Sequence, residues 1–173
     1  MSISILKQFA QVALAALRPE AMISDAVALR GSQLTIAGQR YDLRKHQRVY
    51  VVGAGKATLA MAKQLNAILG KHITAGYINV PATGQQRVGK IIVQHTAHPF
   101  PNRATVIASK RILQCVQAAA PDDLIICLIS GGGSSMLTLP RAGVTLQLKK
   151  NLTKKLMHRG ANITALNTVR KHL

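Results

Sequence analysis

Residues 48–70 read RVYVVGAGKATLAMAKQLNAILG, and their reading decides the fold. The stretch Arg48 to Gly55 is an apolar run ending in glycines, a buried strand by its composition. Lys56 follows, and then Met61, Ala62, Leu65, Ile68 and Leu69 fall on one face at helical spacing, closed by Gly70 as a C-cap. A buried strand, a glycine turn and an amphipathic helix form the repeating unit of α/β proteins.

Working outward, AGYINVP (75–81) and KIIVQHTA (90–97) supply two further strands, separated by an exposed loop expected over Pro81 to Gly89. Pro99 and Pro101 interrupt the chain before a helix expected over 103–119. Pro121-Asp122-Asp123 then leads into LIICLIS (124–130), a fourth strand. Each strand is a nearly continuous apolar run, as in a parallel sheet covered on both faces. Upstream, Ile5, Leu6, Phe9, Val12, Ala13 and Ala16 mark an amphipathic first helix. AMISDAVAL (21–29) continues as a second helical piece, and GSQLTIAGQRYDL (31–43) alternates about Ala37-Gly38 as a short β-ribbon. The last fifty residues read as helical, with Leu148, Leu152 and Leu156 facing a core and Lys150 and Lys154 solvated opposite them. The expectation is one Rossmann-like α/β domain over 1–173, its sheet parallel or mixed at an edge, with helices on both faces.

The 173 residues are 48% hydrophobic, which suits a folded core. No apolar stretch reaches the roughly 20 residues of a membrane span, and the N-terminus lacks the pattern of a signal peptide. Cys115 and Cys127 read as core filler in a reducing, cytoplasmic protein. The charge is lopsided, with 23 Lys and Arg against 5 Asp and Glu, a formal +18. Such a field attracts polyanions. The cations are dispersed, however, and with no Trp, three Tyr and two Phe there are few platforms for stacking bases. A basic nucleic-acid module is therefore the weaker reading beside an anionic substrate.

Three motifs carry chemistry. In VVGAGKAT, Gly53 and Gly55 fit a dinucleotide fingerprint, but Thr58 stands at the third glycine and no acid lies between Asp42 and Asp122 to hold a ribose. A Walker loop fails too, since Tyr50 replaces its first glycine. What remains is a tight turn with Lys56 at a helix start, where a bound anion would offset the unfavourable placement of its charge. In SGGGSS, Ser130 ends a strand and Gly131, Gly132 and Gly133 make a turn whose amides suit phosphate oxygens, with Ser134 and Ser135 as caps or donors. A plain serine-capped turn is the alternative. HTAHPFPN presents His98 and Asn102 on a rigid loop, while His95 alternates into the core. A Ser-His-Asp triad fails on distance, because Asp122 and Asp123 precede the strand whose far end carries the loop, which is about 20 Å away at about 3.3 Å per residue. The same distance leaves no acidic ligand for a metal beside the glycines.

Taken in order, VVGAGKA, AHPFPN, DDLIICLISGGGSSML, PRAGVTL and GANITALNTVRKHL resemble the N-terminal domain of the glycerate 2-kinase family, from about Phe9 onward. The resemblance implies ATP-dependent phosphorylation of D-glycerate to 2-phosphoglycerate in a cleft between two domains, the second being the MOFRL domain. It implies an active-site role for Lys56, a phosphate-handling role for Ser130 to Ser135, and places Asn167, Arg170 and Lys171 near them. The family commonly has acids where Asn102 and Ala165 stand. It also runs on past Leu173, so a complementing C-terminal domain is an expected partner. Mg²⁺ would be held by phosphates, water or that domain. Proteins of this resemblance are also sometimes labelled hydroxypyruvate reductases.

Overall fold

The computed structural model describes residues 3–82 and 84–173. Two helices, α1 (Ile3–Ala16) and α2 (Pro19–Ala26), precede an antiparallel sheet of β1 (Val27–Arg30), β2 (Gln33–Ile36) and β3 (Gln39–Asp42). The α1 helix forms as its periodicity predicts, yet its apolar face is bare, with Phe9 68% exposed. The second helical piece ends sooner than expected. Val27 to Leu29 are extended, because Val27 and Leu29 pair with Ile36 and Leu34 across the small sheet. Cross-strand partners here override the continuing helical pattern.

The main sheet contains β4 (Val49–Ala54), β5 (Ala75–Val80), β6 (Arg87–Val88), β7 (Ile91–His95) and β8 (Leu124–Ile129), in the order β6-β7-β5-β4-β8. The pairs β4–β5, β4–β8 and β5–β7 are parallel, and the β6–β7 pair makes an antiparallel edge. Helix α3 (Thr58–Leu69) lies on one face, where Ala62, Leu65 and Leu69 join Val51, Ile78, Val93, Ile126 and Leu128 in the core. Helix α4 (Arg103–Gln117) covers the alternate residues, bonding through Ser109 and the Ala108 carbonyl to Asn79 and Gln94. The chain then gives a short turn of helix, α5 (Gly133–Met136), and the pair α6 (Leu146–His158) and α7 (Ile163–Lys171).

The order of the four parallel strands places the first beside the fourth, which is the doubly wound arrangement and puts the switch point between β4 and β8. Both glycine turns leave the carboxyl ends of those two strands. At the opposite end, Asp123 bonds to Arg48 (2.7 Å), and that guanidinium holds its carboxyl below the ordinary range. Asp42 is likewise depressed by its bonds to Arg44. The Asp122–Asp123 pair is thus remote from the glycines, as strand length requires.

Several burial expectations are corrected. Cys127 is exposed, because β8 is an edge strand whose Ile125, Cys127 and Ile129 face is uncovered. His95 is exposed, and Gln94 is the residue that enters the core. The Pro81–Gly89 segment is not all loop. Its Arg87 and Val88 form β6, with Val88 buried, while Thr83 lies outside the described residues. In α6 no residue is fully buried: Leu148 is 51% exposed while Leu152 and Leu156 are half-buried, so the leucine stripe is only partly covered.

Candidate functional site

The two glycine turns are built against each other. The Gly55 amide donates to the Asn79 carbonyl, the Lys56 amide to the Gly131 carbonyl (2.9 Å) and the Ala57 amide to Ser130 Oγ (3.1 Å). Ser130 Oγ also meets Thr58 Oγ1 at 3.1 Å. A Cβ on Gly55 would collide with Ser130 Oγ, and Gly55 has φ +145°, a conformation essentially restricted to glycine. Gly53 packs directly on the Leu128 carbonyl, and Gly133 on the Ala54 carbonyl (3.0 Å for an added Cβ). Glycine at these positions therefore admits the neighbouring strand and turn. The first turn has spent its amides on the protein itself.

The second turn has not. Gly133, Ser135 and Met136 amides bond to Ser130 and Gly132 carbonyls, but the amides of Gly131, Gly132 and Ser134 meet no acceptor among the described residues. Gly132 is left-handed (φ +86°), and an added Cβ there would lie 3.0 Å from the His98 ring. Asn79 anchors the far end of this short helix. Fully buried, it donates to the Met136 carbonyl (2.8 Å) and accepts from Gln94 Nε2 (2.9 Å).

Beside this turn lies a cavity of about 420 Å³, lined by the His98–Pro101 loop, by Gly132, Ser134, Ser135 and Thr138, and by α6 and α7. His98 and Arg170 enter it, joined by Lys149 and Lys150. Lys149 Nζ donates to the main-chain oxygens of Arg170 (3.1 Å) and Leu173 (2.9 Å), tying α6 to the end of α7. Burial, and then the nearby Arg170 charge, push the Lys149 ammonium below its ordinary range. Among the described residues, no carboxylate lines the cavity.

Of the residues singled out from sequence, the structure gathers His98, Gly132, Ser134, Ser135 and Arg170 around this cavity. Gly131 continues the same turn, with Ser130 and Gly133 packed beneath. Lys56, Gly53 and Gly55 belong to the adjoining turn, and the Lys56 side chain is exposed outside the cavity lining. Asn167 and Lys171 are exposed on α7 and also lie off it. Asn102 is no pocket residue: its side chain accepts from the Thr105 amide and caps α4. Sequence reasoning missed Lys149, Thr138, Thr153 and Phe100. Lys149, Thr153 and Met157 recur every four residues, so a second face of α6 was there to be read beside the leucines. Lys150 is not purely solvated, since it too reaches the lining.

The family model of the domain of unknown function DUF4147 matches residues 5–173. Human glycerate kinase is 37% identical over 183 aligned residues, covering 96% of this chain and 35% of that protein. An Agrobacterium vitis protein provisionally named a hydroxypyruvate reductase is 42% identical over 126, covering 73% of this chain and 33% of its own. The crystal structure of a Thermotoga maritima glycerate kinase superposes with a TM-score of 0.79 at 30% identity, over 98% of this chain and 39% of that one. The chain thus spans about a third of the length of the curated relatives it matches. With nearly every residue matched and the fold shared, the chain belongs to the DUF4147 family, the N-terminal domain of glycerate kinases.

Proposed function

We propose that residues 1–173 form one domain of an ATP-dependent glycerate 2-kinase, which transfers a phosphoryl group to the 2-hydroxyl of D-glycerate. The observation that carries this reading is the cavity at the carboxyl ends of the strands. Lys149, Lys150 and Arg170 line it, and free turn amides stand beside it. Phosphoryl transfer needs such positioned positive charge more than covalent chemistry.

In this assignment the amides of Gly131, Gly132 and Ser134, with the Ser134 hydroxyl, hold anionic oxygens, and Ser135, its proton given to the Gly132 carbonyl, braces the turn. Lys149 and Arg170 neutralise those oxygens, and His98 borders them. Lys56 is the catalytic cation. Its amide is fastened to the Gly131 carbonyl, so its flexible stem starts beside the anion-holding turn. Asn167 and Lys171, exposed on α7, face the complementing C-terminal domain, and the bare apolar face of α1 suits the same contact. Closure by that domain would exclude water and complete the alignment. A Mg²⁺ ion does not fit the lining as it stands, because cations and no carboxylate face the cavity.

Calorimetric titration of ATP·Mg²⁺ and then D-glycerate into the chain, with Lys56→Ala alongside, tests the assignment. Saturable binding that the substitution weakens at least tenfold is expected. A folded wild-type chain that binds neither ligand, yet quenches NADH fluorescence on titration, would move the family's reductase label into first place.

A further inference from the structure

The cavity is too large and too two-sided for glycerate alone. At about 420 Å³ it falls within the roughly 300–1,000 Å³ of sites for drug-sized ligands, whereas glycerate has only seven non-hydrogen atoms. One wall is apolar: Pro99, Phe100 and Pro101 from the loop, and Met157 from α6. The Phe100 ring is held by Lys154, whose Nζ lies 4.9 Å from its centroid.

The hydroxyls around this wall have a definite polarity. Ser135 Oγ donates to the Gly132 carbonyl (2.9 Å), Thr138 Oγ1 to the Ser135 carbonyl (3.1 Å) and Thr153 Oγ1 to the Lys149 carbonyl (2.8 Å). Each proton is committed, so each oxygen offers the cavity lone pairs only. A carboxylate, which only accepts, gains nothing from such groups. An amino-bearing heterocycle, with N–H donors on a flat apolar body, does.

We propose that this cavity takes the base end of an amino-bearing nucleoside phosphate. The heterocycle lies against the Phe100–Met157 wall, its N–H groups reach the hydroxyl oxygens, and its phosphates are directed to Lys149 and Arg170. This deepens the kinase reading and rests on it, for it assigns the cavity to the phosphoryl donor and leaves the acid acceptor to the adjoining turns.

The test is calorimetric titration of ADP, inorganic pyrophosphate and D-glycerate into the chain, with Phe100→Ala and Thr153→Val compared with wild type. Phe100→Ala should weaken ADP about tenfold, in the range expected for losing a base–aromatic contact. Pyrophosphate should stay within about twofold, since it has no base to stack. Thr153→Val, nearly isosteric, should weaken ADP and spare pyrophosphate, which covers the case in which Phe100→Ala disturbs the loop. ADP binding that neither substitution changes, or an equal loss for ADP and pyrophosphate, overturns the base assignment and leaves the kinase reading standing. D-glycerate binding that Phe100→Ala alone abolishes reassigns the cavity to the acid. A folded wild type that binds none of the three ligands sinks both.

Discussion

Replacing Asn79 by leucine separates the scaffold of the anion turn from the turn itself. Asn79 is fully buried and makes two well-formed bonds, to the Met136 carbonyl and from Gln94 Nε2. Leucine has similar bulk and supplies neither partner. The Met136 carbonyl loses its side-chain donor, at about 1–3 kcal/mol for a buried group left unpaired. Gln94 loses less, because its Nε2 also donates to the Ala108 carbonyl (3.1 Å). Apolar transfer of the leucine side chain offsets part of this. The net expectation is about 2–4 kcal/mol of destabilisation. At about 2–4 °C per kcal/mol for a chain of this size, Tm should fall by about 5–15 °C. Urea unfolding followed by circular dichroism measures the first quantity and a thermal scan the second. Met136 closes the short helix after the glycines, so hydrogen exchange at Ser135 to Leu137, whose amides bond to the Gly132 and Gly133 carbonyls, should also quicken beyond any general loosening. A leucine variant as stable as wild type would refute the claim that this polar pair holds the turn.

Other outcomes follow from the same contacts. Gly55→Ala should cost more than about 1–3 kcal/mol, since strain at φ +145° adds to a collision with Ser130; soluble yield and chemical denaturation report it. Leu65→Ala, emptying a fully buried site under α3, should cost about 2–5 kcal/mol in the same denaturation assay. Acid should destabilise the fold through Asp123 and Asp42. Both carboxyls are depressed when folded, so their stabilisation is complete above the ordinary carboxylate range and is lost as pH falls below it. Asp123→Asn should flatten that part of the stability-against-pH profile. Asn162→Ala should cost about 1 kcal/mol by removing the side chain that accepts from the Ala165 amide at the start of α7.

The four parallel strands, α3 and α4 were legible because each has one strong period and clear punctuation: the Gly53–Gly55 turn, Gly70, and Pro99 and Pro101 ahead of α4. That both glycine turns leave the carboxyl ends of strands was legible as well, since each follows an apolar run, but the strand order that makes those two strands neighbours was not. Burial at β8 was not, because an apolar strand reads the same whether its face is covered or bare. Sequence placed Cys127 and Leu148 inside, and the structure leaves both exposed. The cavity was half legible. His98 and the Ser134 turn announced themselves by unusual composition, whereas Lys149 and Thr153 look like ordinary helix residues until α6 is laid beside the His98 loop. Asn79 acts through partners distant in sequence, which no local pattern encodes.

The pairing of β4 with β8 joins Val49 to Leu124, 75 positions later (124 − 49). On the ribosome, β4, β5, β7 and the helix between the first two can assemble while β8 is still unsynthesised. The first glycine turn then lacks its Ser130 and Gly131 partners, the second is itself unsynthesised, and the crevice between them does not yet exist. Closing that long loop is also the slower kind of contact to make. The site is therefore among the last parts of the fold to appear, and a nascent chain halted after α4 should be protease-resistant in its early strands while still unable to hold an anion. Pulsed proteolysis of such halted chains reads this directly. Protection of β4 that arises only after β8 has emerged would reverse the order.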